Sequence, residues 1–116
     1  MQNELKIALI QADLVWENPI QNRINFSEKI NSISEAFDLI ILPEMFTSGF
    51  TMNAEKIAET MDGETVTWLK KIAKEKDAAI TGSIVINAHG NYFNRCFFVE
   101  PDGTISTYDK RHTFTL

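Results

Sequence analysis

Between Asp38 and Phe50 the chain reads DLIILPEMFTSGF, and this run restricts the possible folds more than any other. Four consecutive apolar residues, Leu39 to Leu42, form a short buried strand. Pro43 cannot continue a hydrogen-bonded ladder, so the strand stops there and Glu44 stands where the chain leaves the sheet. In open α/β sheets ligands bind beyond the carboxyl ends of the strands. A carboxylate at that point is placed for general-base work, and Met45, Phe46 and Phe50 suggest the partly apolar pocket that suits one. A glutamate that merely caps the following turn fits the same residues equally well.

The rest of the chain alternates strand and helix patterns. Leu5 to Gln11 is a mostly apolar run suited to a buried strand. Asn18-Pro19 starts a helix, with Ile20, Ile24, Ile30 and Ile33 expected along its apolar face. Glu64 to Lys76 has Val66, Leu69, Ile72 and Ala73 at helical spacing. Ala78 to Ile86 reads as a third strand, in which Gly82 marks a bulge or a close backbone approach. The turn signals at Asn87–Asn91 and Pro101–Gly103 then separate strands Tyr92–Glu100 and Thr104–Asp109. The expected order is β-α-β-α-β-β-β, an α/β fold with a mixed sheet: two parallel, right-handed crossovers through helices, then antiparallel hairpins. The strand from Tyr92 has Phe93, Phe97 and Val99 on one side and Tyr92, Cys96 and Phe98 on the other, so it calls for cover on both faces.

Composition narrows the function classes. With 44% hydrophobic and 23% charged residues, 116 residues make one globular domain. A net charge of -5 argues against nucleic acid or an anionic membrane as a partner. The start of the sequence lacks a signal-peptide pattern and no apolar run reaches membrane-spanning length, so the expected location is cytoplasmic. A single cysteine, Cys96, rules out an internal disulfide framework. Placed in mid-strand, it reads as a small core residue and not as a nucleophile. His89 and His112 lack a third ligand at metal spacing, and Gly82, Gly90 and Gly103 make no phosphate cradle. No metal and no cofactor is expected.

Several pieces together resemble one family. KIALIQ from Lys6, LPEMFTSGF from Leu42, Gly82-Ser83, Asn94-Arg95, the EPDG turn from Glu100 and YDKRHTF from Tyr108 follow in order along essentially the whole chain. The sequence is similar to the N-terminal part of a nitrilase-superfamily carbon–nitrogen hydrolase, within it to the omega-amidase branch. Thr113 stands where that family usually has leucine. The resemblance implies that residues 1–116 form the N-terminal portion of a single hydrolase domain, an α-β-β-α sandwich. It also implies a Glu–Lys–Cys triad, with Glu44 as general base and acid and Lys110 as oxyanion stabiliser. Taken by itself, Lys110 would pass for a surface lysine.

The implied activity is hydrolysis of the terminal amide of a small carboxylic acid, such as 2-oxoglutaramate, through a cysteine thioester. The family's cysteine follows its lysine after a further strand and is not within these residues, so the chain alone is expected to be inactive. Phe50 and Met52 could wall the substrate pocket or belong to the core. A sheet face left without its cover points to a homo-oligomer. The alternative is a noncatalytic α/β binding module on the same scaffold.

Overall fold

The computed structural model describes residues 4–110. Its elements in chain order are β1 (Ile7–Leu9), α1 (Pro19–Asn31), β2 (Leu39–Ile41), α2 (Ala54–Ile57), α3 (Glu64–Lys76), β3 (Ala79–Ala88), β4 (Asn91–Val99) and β5 (Ile105–Asp109). The five strands form one mixed sheet in the order β1-β2-β3-β4-β5. β1, β2 and β3 run parallel, whereas β4 and β5 continue as antiparallel hairpin partners. The expected order of elements holds, with the short helix α2 added between β2 and α3.

Helix α1 starts where the Asn18-Pro19 signal puts it, with the Asn18 side chain accepting a hydrogen bond from the Gln21 N–H. Its buried stripe corrects the expected one. Asn22, Phe26 and Ile30 face the core, while Ile20 and Ile24 are 64% and 46% exposed. The stripe includes a polar residue because Asn22 is fully used. It donates to the carbonyls of Val15 and Thr47, and its Oδ1 accepts from the Val15 N–H. Helix α3 has the expected span and buries Val66, Leu69, Ile72 and Ala73.

Strand alternation assigns the two faces of the sheet. Ile40, Ile80, Ile84, Ile86, Phe97 and Val99 point to the side covered by α1 and α3, where they meet Phe26, Ile30, Leu69 and Ile72 in one core cluster. The opposite side carries Ile7, Leu9, Cys96, Phe98 and Tyr108. At one end of it a smaller cluster of Met45, Ala54, Ile57 and Val85 brings in α2. Elsewhere this side is open among the described residues, with Leu9 65% and Phe98 40% exposed. The cover that the β4 pattern calls for on both faces is thus present on one. The β3–β4 hairpin closes through His89 and Gly90, both with positive φ (55° and 82°), the backbone twist that suits a two-residue connection.

Candidate functional site

β2 is only three residues long, and β3 runs well past it. The chain leaving β2 therefore has the exposed flank of β3 to lie against. Leu42 N–H donates to the Thr81 carbonyl, Met45 N–H to the Ser83 hydroxyl at 2.9 Å, and Phe46 N–H to the Ser83 carbonyl. Pro43 needs no donor partner. Met45 adopts a left-handed conformation (φ 50°), uncommon for a residue with a side chain, and the Ser83 hydroxyl satisfies its N–H in that geometry. This reversal sends neighbouring side chains to different sides of the sheet. Phe46 enters the main core, edge-on to Phe26 with ring centroids 5.7 Å apart. Glu44 goes to the open side.

Close approach at Gly82 makes this possible. A Cβ there would lie 2.9 Å from the Phe46 ring and 3.1 Å from the Leu42 Cβ. Gly82 is thus a site of close packing within a regular strand, and not a bulge.

β5 runs antiparallel to β4 and so ends at the same rim as β2. Lys110 follows it directly, its N–H bound to the Asn94 carbonyl at 2.9 Å. The Lys110 side chain reaches over the intervening β3–β4 hairpin to Glu44, with Nζ 3.0 Å from Oε2. Asn94 on β4 donates from Nδ2 to that same oxygen at 2.9 Å. The Glu44 and Lys110 side chains are 36% and 48% exposed, so the pair is partly open to solvent. They border a pocket of about 350 Å³ that is also lined by Ile41, Leu42, Thr81, Ser83, Asn94, Cys96 and Tyr108. On the other face of β4, Arg95 grips Asp109, the residue before Lys110, through contacts of 2.6 and 3.0 Å. Those hydrogen bonds raise the pKa of the guanidinium above its ordinary value and fix its charge.

Glu44 and Lys110, 66 positions apart, are brought together. Phe50 is not brought to them: it is 72% exposed, its carbonyl accepts from the Trp16 indole N–H, and it does not line this pocket. Met45 and Phe46, expected to make the surroundings of Glu44 apolar, are turned into the two core clusters instead. Cys96 is half-buried on the pocket wall, with its Sγ 3.7 Å from the Thr81 hydroxyl, because alternation gives the core position to Phe97. His112 lies outside the described residues. Among those described, no cluster of three His, Cys, Asp or Glu side chains could hold a metal ion, and no helix is long and apolar enough to cross a membrane.

Two contributors escape a reading by residue type. Asn94 and Ser83 are neutral, and both shape the placement of Glu44. The signal for them was present as the Asn94-Arg95 and Gly82-Ser83 pairs, though without an assigned task.

Known proteins are similar to this chain in sequence and fold. Residues 6–115 match the carbon–nitrogen hydrolase family. The omega-amidase YafV of Yersinia enterocolitica is 43% identical over 97% of this chain and 43% of its own length. A 2-oxoglutaramate amidase of Bacillus subtilis is 28% identical over 95% of this chain and 44% of its own. A CN-hydrolase superfamily protein of Xanthomonas campestris, whose crystal structure has an arsenic adduct in the active site, superimposes with a TM-score of 0.90. It shares 41% identity over 96% of this chain and 42% of its own. The chain therefore spans less than half the length of these relatives.

Proposed function

The chain belongs to the carbon–nitrogen hydrolase family, and from that premise we propose that the protein carrying it hydrolyses the terminal amide of a small carboxylic acid to the acid and ammonia. The observation that carries the proposal is the Lys110 Nζ–Glu44 Oε2 contact of 3.0 Å at the carboxyl-end rim of the sheet. It pairs a base with a fixed cation beside a pocket of substrate size. Relatives named omega-amidase and 2-oxoglutaramate amidase support a 2-oxo acid amide such as 2-oxoglutaramate as substrate.

An amide is a weak electrophile with a poor leaving group, so a covalent route divides the barrier into two steps. In the proposed reaction a cysteine thiol attacks the amide carbon and Glu44 takes the thiol proton. The resulting oxyanion is held by the Lys110 ammonium. The C–N bond breaks as Glu44 returns that proton to the departing nitrogen, leaving a thioester. Glu44 then takes a proton from water as it attacks the thioester, and the acid and the thiol are released. The nucleophile belongs outside residues 1–116, since Cys96 precedes Lys110 and lies in mid-strand. These residues would be the N-terminal portion of one hydrolase domain, inactive alone. No cofactor takes part. The proposed setting is cytoplasmic, the proposed assembly a homo-oligomer, and neither nucleic acid nor a membrane is a proposed partner.

The test is ammonia release from 2-oxoglutaramate by the full-length protein. Glu44→Gln and Lys110→Met are each expected to lower turnover by about 100-fold or more while leaving thermal unfolding unchanged. Near-parental turnover by either folded variant would remove the role given to that residue. Activity confined to amides lacking the 2-oxo group would overturn the substrate class alone.

A further inference from the structure

Within the strand pair Asn94-Arg95, Asn94 touches the site directly, whereas Arg95, on the other face of β4, binds Asp109. Asn94 is 4% exposed and makes two bonds to the pair: its Nδ2 donates to Glu44 Oε2, and its carbonyl accepts the Lys110 N–H. Lys110 Nζ binds the same Glu44 oxygen, so Oε2 receives two donors, whereas Oε1 has no partner among the described residues. The Asn94 amide can take only one orientation against an ionised Glu44. Turned over, it would set its carbonyl oxygen against a carboxylate oxygen, acceptor to acceptor.

In this orientation Asn94 Oδ1 is buried with no hydrogen-bond partner among the described residues. An unpaired buried acceptor lowers stability, and an apolar side chain of similar shape would avoid that loss. Packing therefore does not account for an amide at this position. Its single side-chain bond, to Glu44, does.

The geometry assigns Asn94 as a positioning residue that pins Glu44 Oε2 and leaves Oε1 as the oxygen that takes and returns the proton. This rests on the amide-hydrolysis reading above. A freely rotating Glu44 would present either oxygen to Lys110 and spend part of its time turned away from the reacting atoms. With Oε2 held by one donor from β4 and one from the residue that follows β5, that rotation is blocked and one basic lone pair stays available.

Three variants of the full-length protein decide it, assayed for ammonia release with kcat and KM separated. Asn94→Leu is expected to unfold at the same temperature as the parent or higher, because the orphaned acceptor is gone. Its kcat is expected to fall roughly 10- to 100-fold, the factor for losing a hydrogen bond to a charged group, with KM within about twofold. A merely structural residue would give the reverse pattern, lower stability with normal turnover per folded molecule.

Asn94→Asp is the second probe and serves if the leucine variant does not fold. It sets a second carboxyl beside Glu44, so the donor returns only when the two share one proton, and its pH–activity profile is expected to move to lower pH than the parent's. The other titratable groups around the pocket are Lys110, Tyr108 and Cys96, and all are unchanged in this variant. A kcat for Asn94→Leu within twofold of the parent, or a profile for Asn94→Asp coincident with it, would overturn the assignment. Glu44→Gln separates the two failures. If it is inactive while Asn94→Leu is normal, only the role of Asn94 falls; if it keeps near-parental turnover, the role given to Glu44 falls and this assignment with it; a parent that releases no ammonia overturns the hydrolysis reading.

Discussion

On one face of the sheet Phe26, Phe46, Leu69, Ile80 and Phe97 are completely buried, whereas on the other Ile7, Leu9 and Tyr108 remain 50%, 65% and 63% exposed. The first face has the continuous apolar packing that holds a domain together. The second holds Glu44, Lys110 and a half-walled pocket. On the proposed function, stability and chemistry would be divided between the two faces, and the connection between them is one short reversal. Within three residues the backbone sends Glu44 to the open face and drives Phe46 into the closed one, with the left-handed Met45 between them. The carboxylate is held in place from behind by an aromatic anchor in the core.

The contrast breaks most readily at that anchor. Phe46→Ala empties a site bounded by Phe26 and Trp68, and a cost of about 3–5 kcal/mol is expected for a buried Phe-to-Ala truncation. That is a large part of the roughly 5–15 kcal/mol that holds a domain together. Denaturant unfolding of the chain measures it. A loss below 1 kcal/mol would mean that the elbow is held by its hydrogen bonds to Ser83 and not by the ring.

A smaller effect comes from the opposite change, adding volume against the same ring. Gly82→Ala sets a methyl group 2.9 Å from Phe46, so the ring or the elbow must move. The expected cost is about 1–3 kcal/mol. Because the two positions touch, their effects are not additive, and Gly82→Ala is expected to cost less in a Phe46→Leu background. A cost that stays the same in both backgrounds would place the strain elsewhere, with the Leu42 Cβ as the next contact.

The sequence was most legible where local signals and tertiary packing agree. Helix α3 and the two hairpins follow from apolar spacing and turn residues, Glu44 at a strand end follows from the Leu39–Pro43 run, and Lys110 stands out only through the family resemblance. It was least legible where a polar side chain does the work of packing. The α1 stripe turns on Asn22, whose three hydrogen bonds go to backbone groups that no residue pattern announces. Ile20 and Ile24 supply the apolar spacing yet stay outside. Asn94 has the same character, since its role depends on a contact with a residue 50 positions away. α2 is too short to show a period. Phe50 and Cys96 show a further limit: type and position along the chain do not reveal which side of a loop or strand faces the pocket.

The smallest expected effect on stability lies on the open face, where it sharpens the contrast. Leu9 sits on the edge strand β1, 65% exposed, so little area returns to water when it is shortened. Leu9→Thr keeps a residue that suits a strand, and the expected change in unfolding free energy is within about 0.5 kcal/mol, the range for an exposed substitution. Association is where its effect is expected. Among the described residues Leu9, Ile7, Phe98 and Tyr108 together leave an apolar sheet face in water, and β1 adds an unpaired strand edge next to it. Such a surface favours self-contact. Sedimentation of the 116-residue chain at micromolar concentration is expected to show association that weakens in Ile7→Thr/Leu9→Thr while the unfolding midpoint stays put. A chain that is monomeric before the substitutions would show that this face needs no partner. A midpoint that falls by the amount typical of a core truncation would show that the open face contributes to folding as the closed one does.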